Sequence, residues 1–375
     1  MVWQWYLPES GISGTRTKRS HMSGIADLDT IMDSLGAEEK AIFLRLFHVH
    51  STVGQIRPPY TMHDWIKNQF GSVEQTLEQK VIRVTNLVTL EESLFNKLRA
   101  DRPISEAVNH GKIDVGDNDP FHDPLANTPE DVFGRIKGKY CVTASNVAKY
   151  DGLHGVIVFD EADPLKFTAG QVVDYIDTGT KWAKRAHEVD ADAKYYFFMW
   201  NCLAKAGASL VHGHTQVALS RHMHYAKIER LRRAALAYES EHGSDYFDDL
   251  YKAHESVGCG IERDDVRILS HLTPVKEKEV VLMAPTLNDA LKSAVYTALS
   301  CLRDNLGTSS FNLVIQMPPI AEVDEDWSCF PVMVRIVDRG NPDSKVSDMG
   351  AMELYGASVI TSDPFEVARA LKDCF

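Results

Sequence analysis

The order of predicted elements after residue 139 constrains the fold of this chain most. Apolar runs predict strands at YCVTASNVA, GVIVFD, YYFFMWNC and SLVHGHTQVALS, with an amphipathic helix from about Thr168 to His187. Two helices, over about 224–241 and 245–257, precede a similar series of strands ILSHLTPVKEKEVVLMAP, FNLVIQMPP and VMVRIVDRG, with the helix LNDALKSAVYTALSCLRDNLG after the first strand and a helix at the end. We therefore expect an α+β fold in which helices cross antiparallel sheets, built from two pseudo-repeated αβ halves at 80–258 and 259–375.

The N-terminal part differs in pattern from these halves. Residues 1–24 are polar and contain several glycines and serines, which predicts a flexible leader. Residues 25–79 carry helical spacing in IADLDTIMDSLG, AEEKAIFLRLFHVH and TMHDWIKNQFGSVEQTLEQK, and we expect a helical N-terminal extension. On a helix His48 and His50 would not share a face, so the HVH sequence there does not predict a site.

Composition excludes several classes of function. The chain has 40 Lys and Arg against 53 Asp and Glu, a formal charge of −13, which argues against a nucleic acid partner held by a broad basic surface. The six cysteines are scattered without a CxxC pair, which favours free thiols in a reducing compartment. No apolar run is long enough for a membrane helix and the N-terminus lacks the apolar core of a signal peptide, so we expect a cytoplasmic protein without a membrane partner.

The segment AGASLVHGHTQ contains the best candidates for chemistry. In a strand, His212, His214 and Gln216 would all point to one face. A histidine with one unprotonated ring nitrogen is a competent nucleophile toward phosphorus, and either histidine qualifies. Gln216 offers a neutral amide donor to a phosphate oxygen, Gly207 allows close backbone approach, and the Ser209 hydroxyl can donate to the same anion. The alternative is that the two histidines are satisfied core residues or a metal pair.

This spacing resembles an active-site signature, N-x10-H-x-H-x-Q with GxS before the first histidine. The signature belongs to the galactose-1-phosphate uridylyltransferase branch of the histidine-triad (HIT) superfamily, and the neighbouring diadenosine polyphosphate phosphorylases carry a similar AGAS before HxHxQ. The matching residues are Asn201, Gly207, Ser209, His212, His214 and Gln216. The resemblance implies a HIT-like fold in which His214 is the nucleophile that becomes nucleotidylated. It also implies that Gln216 and Ser209 contact the phosphoryl group, that Asn201 and Gly207 line the substrate site, and that His212 supports the strand face or binds a metal.

Three further segments resemble parts of the family that approach the substrate. They are LFNKLRADRP and TASNVAKYDGLHGVIVFD, which approach the nucleotide, and MELYGASVITSDPFEVARAL, in which a glutamate meets sugar hydroxyls. The candidate contacts implied are Asn96, Arg99, Arg102, Asn146, Lys149, His154 and Glu353. The alternatives are a solvated basic loop for the first segment and ordinary surface positions for Lys149 and Glu353.

The resemblance also raises the question of a metal. The family often has CPFC where this chain reads DPFH, so Asp119, His122, Asp163 and His212 are the implied ligands of a divalent ion, zinc first among them. The alternative is that the metal has been lost and that Asp119 and His122 are turn residues. A second metal site of the bacterial enzymes needs a late HxH, and WSCFPVMVRIVDRG holds no histidine.

These observations predict a nucleotidyltransferase that works by double displacement and requires no cofactor for the covalent step. It would move a nucleoside monophosphate between a nucleotide sugar and a sugar 1-phosphate or similar phosphorylated acceptor. One alternative is a phosphorylase that splits a nucleotide sugar or dinucleoside polyphosphate with inorganic phosphate. Another is a nucleotide-binding sensor without catalysis. The resemblance further implies a homodimer whose subunits complete each other's sites.

Overall fold

The computed structural model describes residues 23–100, 116, 119–344 and 346–375, and in this part of the chain the strands form a nine-stranded and a four-stranded sheet. The strands are β1 (Phe47–Gln55), β2 (Glu78–Asn86), β3 (Glu92–Asn96), β4 (Cys141–Ser145), β5 (Leu153–Phe159), β6 (Ala193–Cys202), β7 (His214–Arg221), β8 (Gly260–Arg263), β9 (Val266–Ser270), β10 (Glu277–Ala284), β11 (Phe311–Gln316), β12 (Val332–Asp338) and β13 (Ser358–Ile360). The α-helices are α1 (Leu28–Asp33), α2 (Ala37–Leu46), α3 (His63–Phe70), α4 (Glu74–Leu77), α5 (Lys97–Ala100), α6 (Pro124–Asn127), α7 (Ala169–Val189), α8 (Ala226–His242), α9 (Tyr246–Ser256), α10 (Asp289–Asp304), α11 (Ala351–Tyr355) and α12 (Pro364–Cys374).

The nine-stranded sheet repeats one arrangement twice. Its order is β4-β5-β7-β6-β11-β12-β10-β9-β8, and its strand pairs are antiparallel. Outward from the central β6–β11 pair, β6-β7-β5-β4 on one side matches β11-β12-β10-β9 on the other. In each half a long helix, α7 or α10, connects the second strand to the third. The predicted α+β fold with two pseudo-repeated halves is therefore confirmed, and the halves share one continuous sheet.

The helices α7 and α10 cover one face of this sheet. Thr168 begins α7 with a reciprocal capping box to Gln171, and Asn288 caps α10. Both helices bury their apolar side chains against the sheet, with Trp182 and Tyr175 of α7 almost fully buried. This face is a closed core, so the polar side chains of the AGASLVHGHTQ motif must lie on the opposite face or at a strand end.

The expectation of a helical extension over 25–79 is wrong at Phe47–Gln55, which form β1, whereas the helices α3 and α4 follow within the same range. The helical stripe ends at Leu46, and β1 pairs with the whole of β2 in the register Phe47↔Asn86 to Gln55↔Glu78. The β-branched run of β2 supplies a ladder partner whose hydrogen bonds outweigh local helix propensity. His48 and His50 consequently do share a face of β1, where their exposed rings stack at 6.3 Å.

Two strand predictions also change in extent. The run ILSHLTPVKEKEVVLMAP is two strands, β9 and β10, because Pro274 interrupts the ladder between them. The run SLVHGHTQVALS becomes strand only at His214, so His212 precedes the strand that it was expected to share.

Two predictions from composition concern the whole chain. All six cysteines are free, as expected. In the described ranges, none of the helices is long and apolar enough to cross a membrane.

Candidate active site

Polar side chains line up across three strands on the face opposite α7 and α10. Val217 and Leu219 of β7 belong to the core beneath α7, so the alternate residues His214 and Gln216 lie on the other face. Gln216 pairs with Met199 of β6, and two residues further along that strand Asn201 pairs with Asn312 of β11. His214, Asn201 and Asn312 therefore form one row across neighbouring strands.

His214 is held in a single tautomer by the backbone carbonyl of His212. Its Nδ1 lies 2.7 Å from the carbonyl oxygen of His212, and because a carbonyl only accepts, Nδ1 carries the proton. Burial lowers the pKa of His214, which favours the neutral ring. The Nε2 atom therefore keeps an unprotonated lone pair at neutral pH, as a nucleophile requires.

His212 is bonded at both ring nitrogens. Its Nε2 donates to the carbonyl of Phe159 at 2.9 Å, and its Nδ1 lies 2.5 Å from Oδ2 of Asp119. Asp119 also accepts a bond from the Phe121 N–H at the start of the 3₁₀ helix Pro120–His122. Phe121 then packs edge-on against the rings of both His212 and His214. His212 thus connects the start of β7 to the Asp119 segment and to β5.

Gln216 and Asn201 each accept a hydrogen bond on their side-chain oxygen. Nε2 of His154, on the neighbouring strand β5, lies 2.9 Å from Oε1 of Gln216. Nδ2 of Asn312 donates to Oδ1 of Asn201 at 2.8 Å and to the carbonyl of Ala206 at the same distance. The Asn312 oxygen in turn accepts from Arg339 at 2.6 Å. Both oxygens are occupied, so the NH₂ groups of Gln216 and Asn201 are the donors left for a ligand at His214.

The loop between β6 and β7 is shaped by unusual backbone conformations. Leu203 has φ of 70° and Gly207 has φ of 95°, in the left-handed region that glycine tolerates. Gly207 and Ser209 are exposed on this loop. Gly213, which the sequence motif did not single out, separates the two histidines where a Cβ would meet Phe159 Cδ2 at 2.6 Å and the Glu161 carbonyl at 2.8 Å. Only glycine fits there without displacement.

A cavity of about 620 Å³ lies on the same sheet face beside this row. Its wall includes Asn312 together with apolar side chains such as Phe197 and Val314. Five basic residues also line it: Lys227, Arg230, Lys276, Arg335 and Arg339. The volume is in the range of small-molecule sites, and the basic lining suits a phosphorylated ligand even though the protein is acidic overall.

The basic residues of this cavity differ in their partners. Arg335 is bonded to the carboxylates of Glu91, which is half-buried, and Glu279, which is buried. Arg339 forms two bonds to Asp348. Lys227 and Arg230 instead lie exposed at the start of α8, so their charges are accessible to an incoming anion.

The candidates in the N-terminal segments lie away from the row. Asn96 donates to Gln79 and, with Arg99, lines a separate groove of about 470 Å³ beside Trp65. Arg102 lies outside the described residues. The prediction that these three approach the nucleotide remains a prediction.

Lys149, Asn146 and Glu353 make local contacts. Lys149 donates to Ser145 and to the carbonyl of His154, and the Asn146 oxygen accepts from Ala148 N–H. Glu353 caps α11 by accepting from Gly350 N–H at 2.9 Å. Burial opposes ionisation of Glu353, but this bond and the nearby Lys276 and Arg99 lower its pKa overall. The capping carboxylate is therefore ionised at neutral pH, close to the cavity residue Lys276.

The four implied metal ligands do not fit a metal site. Both ring nitrogens of His212 already have oxygen partners, and both oxygens of Asp119 accept hydrogen bonds or contact His212. Asp163 accepts from Leu165 N–H and pairs with Lys166, while His122 is exposed. Across the ranges that the structure describes, no three His, Cys, Asp or Glu side chains cluster as a metal site. Asp119 takes instead the role of hydrogen-bond partner to His212.

Comparison with known proteins supports this fold. No protein-family model and no curated sequence matches the chain. The structure of an ADP-glucose phosphorylase from Arabidopsis thaliana with bound ADP-glucose superposes with a TM-score of 0.58 at 16% identity, covering 78% of this chain and 99% of that one. A GalT-like protein from the same plant gives 0.54 at 16%, covering 68% and 92%. A uridylyltransferase gives 0.53 at 17%, covering 66% and 90%. The chain therefore shares the fold of these structures, in agreement with the HIT-like fold predicted from its sequence.

Proposed function

We propose that this chain is a nucleotidyltransferase that works by double displacement through a nucleotidyl-histidine intermediate on His214. The observation that carries the proposal is the state of His214: a neutral ring with Nδ1 bonded to a carbonyl, Nε2 unprotonated, and two amide donors beside it. The structural neighbours named for ADP-glucose phosphorylase and uridylyltransferase activities add support through the shared fold.

In the first step, the Nε2 lone pair of His214 forms a bond to the α-phosphorus of a nucleotide sugar. The bond from that phosphorus to the bridging oxygen breaks, and its electron pair leaves with the sugar phosphate. In the second step a phosphate oxygen of the acceptor attacks the same phosphorus, and the N–P electrons return to Nε2. No proton needs to be transferred, because leaving group and acceptor are both anionic phosphates near neutral pH. Nδ1 keeps its proton throughout and donates it in a hydrogen bond to the His212 carbonyl.

Positioning and charge stabilisation supply most of the catalysis in this scheme. The NH₂ groups of Gln216 and Asn201, and the exposed loop at Gly207 and Ser209, donate to the phosphoryl oxygens. Gln216 is neutral and offers no proton to a leaving group, which favours an intermediate that waits for the acceptor. The cavity beside Asn312 takes the sugar phosphate, and its basic lining compensates the phosphate charge.

Two alternatives share part of this scheme. A phosphorylase would use the same intermediate with inorganic phosphate as the acceptor. A sensor would bind the nucleotide without forming the N–P bond; the unprotonated Nε2 of His214 argues against it, since binding alone does not require a free imidazole at the phosphorus.

Intact-mass measurement after incubation with nucleotide sugars and dinucleoside polyphosphates tests the proposal. We expect an added nucleoside monophosphate on the wild-type protein that is absent from His214→Ala and retained by His50→Ala, a control at an exposed histidine on β1. Chasing the adduct with sugar 1-phosphates or with inorganic phosphate then separates transferase from phosphorylase. Binding without an adduct for every nucleotide would instead establish the sensor.

A further inference from the structure

His154 is a buried histidine next to the proposed catalytic strand that the mechanism above does not use. It lies on β5 opposite Ala218 of β7, two residues before the Val156↔Gln216 pair, and its side chain is 0% exposed. The resemblance implied a contact with the nucleotide for this residue. A fully buried ring whose partner is Gln216 points to a different role.

One hydrogen bond from the backbone and one with a side chain fix the tautomer of His154. The N–H of Tyr150 lies 3.0 Å from Nδ1, and because a peptide N–H only donates, Nδ1 must be the unprotonated nitrogen. The proton of the neutral ring is therefore on Nε2, which donates to Gln216 at 2.9 Å. The Gln216 atom that faces Nε2–H must then be the carbonyl oxygen, which settles the orientation of the amide.

The surroundings of His154 hold this arrangement in place. The Tyr150 ring stacks on the imidazole at 4.5 Å with an interplanar angle of 21°. Lys149 anchors the same turn by donating to the His154 carbonyl. Burial lowers the pKa of His154 despite the bond to Gln216, and the nearby charges are Lys149, Asp131 and Asp151. The ring is thus kept neutral, with its donor on the Gln216 side.

We propose that His154 is a positioning residue that keeps the oxygen of Gln216 away from the substrate and its NH₂ group toward the phosphoryl group at His214. An amide rotated by half a turn would present its oxygen to a phosphate oxygen, replacing an attraction with a repulsion. Without a donor at Nε2, nothing in the His154 position distinguishes the two orientations. This inference rests on the proposed function, in which Gln216 donates to the phosphoryl group.

The test uses two substitutions of opposite expectation at His154. Glutamine places an NH₂ donor near the position of Nε2, whereas asparagine is too short and places its amide near Nδ1. We expect His154→Asn to slow formation of the His214 adduct at least tenfold, in line with the loss of one transition-state donor, and His154→Gln to restore most of the rate. Equal rates in both variants, at the wild-type level or equally slowed, would overturn the proposal.

A double-mutant cycle with Gln216→Ala separates positioning from structural damage. If His154 acts only through Gln216, His154→Asn has no further effect in the Gln216→Ala background; multiplying effects would overturn the proposal. The same cycle is measured in the Kd of a nucleoside monophosphate, which needs no chemistry. If the adduct forms but the effects of the two substitutions multiply, only the positioning role of His154 is refuted and the proposed catalysis stands. If the two substitutions are coupled in Kd but no adduct forms, the proposed catalysis is refuted and the positioning role stands.

Discussion

Substitution of Gly213 by alanine offers a stringent prediction about the site. Gly213 lies between the two histidines, donates its N–H to the Ala162 carbonyl at 2.9 Å, and accepts from Phe159 N–H at 3.0 Å. These bonds hold the backbone against β5 and the loop after it. Phe159 cannot easily retreat, because its ring is stacked on Tyr175 at 3.6 Å. A methyl group here must therefore move the backbone that carries the histidines.

The size of the movement follows from the contacts. The added Cβ would lie 2.6 Å from Phe159 Cδ2 and 2.8 Å from the Glu161 oxygen, against ordinary contacts that begin at 3.4 Å, so the displacement is about 0.6 to 0.8 Å. Overpacking of this kind costs about 1–3 kcal/mol in the free energy of unfolding. Displacing a nucleophile by most of an ångström slows the reaction on the order of 10- to 100-fold.

The assay compares Gly213→Ala with Gly152→Ala by urea denaturation and by the rate of adduct formation. A methyl group on Gly152 would have no atom of the described residues within 4 Å, so its substitution controls for the general effect of replacing glycine. We expect loss of stability and rate only in Gly213→Ala. Wild-type stability together with a wild-type adduct rate in that variant would refute the claimed packing between the histidine loop and β5.

Three further predictions concern the partners of the site and the buried histidines. Asp119→Ala removes the partner of Nδ1 of His212 and should cost about 1–3 kcal/mol in unfolding free energy and slow the adduct; unchanged thermal unfolding would contradict it. Asn312→Leu releases the Asn201 amide and should slow adduct formation roughly tenfold, as measured by quenched-flow mass spectrometry. Burial lowers the pKa of three histidines from the usual 6.5: to about 4 for His224, about 3 for His254 and about 4 for His271. As the pH falls, the unfolded chain binds these protons before the folded chain does. The contribution of these histidines to the free energy of unfolding is therefore fully present above pH 6.5 and is lost as the pH decreases, by about 2 kcal/mol per histidine at pH 5. Equal urea midpoints at pH 7 and pH 5 would contradict this.

The repeated halves were predictable because apolar residues recur with different periods in strands and in helices, and because each apolar segment was long. The order from β4 to β12 follows apolar patterns that tertiary contacts reinforce. The error at Phe47 arose because FHVHSTVGQ is ambiguous by itself, and its structure is decided by pairing with β2, more than 20 residues away. Local pattern alone does not contain that information.

The residues of the candidate site were likewise predictable from the sequence only in part. His214 and Gln216 were identified from a local motif whose alternation the strand preserves. The partner of Asn201 was not, because Asn312 lies 111 residues away in the other half and becomes a neighbour only when β6 and β11 pair. The sequence left the role of Asp119 open between metal ligand and turn residue, since DPFH shows only that a ligand-type residue is present. Its contact with both the Phe121 N–H and His212 appears only in the folded chain.

Peptide mapping of the trapped intermediate tests the central claim most directly. The protein is incubated with the nucleotide sugar that gives the largest mass shift, digested under mildly basic conditions that preserve N–P bonds, and sequenced by tandem mass spectrometry. We predict that the nucleoside monophosphate is on His214 and on no other residue of the peptide that contains AGASLVHGHTQ. An adduct on His212, or on any residue outside this peptide, would contradict the assignment of His214 as the nucleophile.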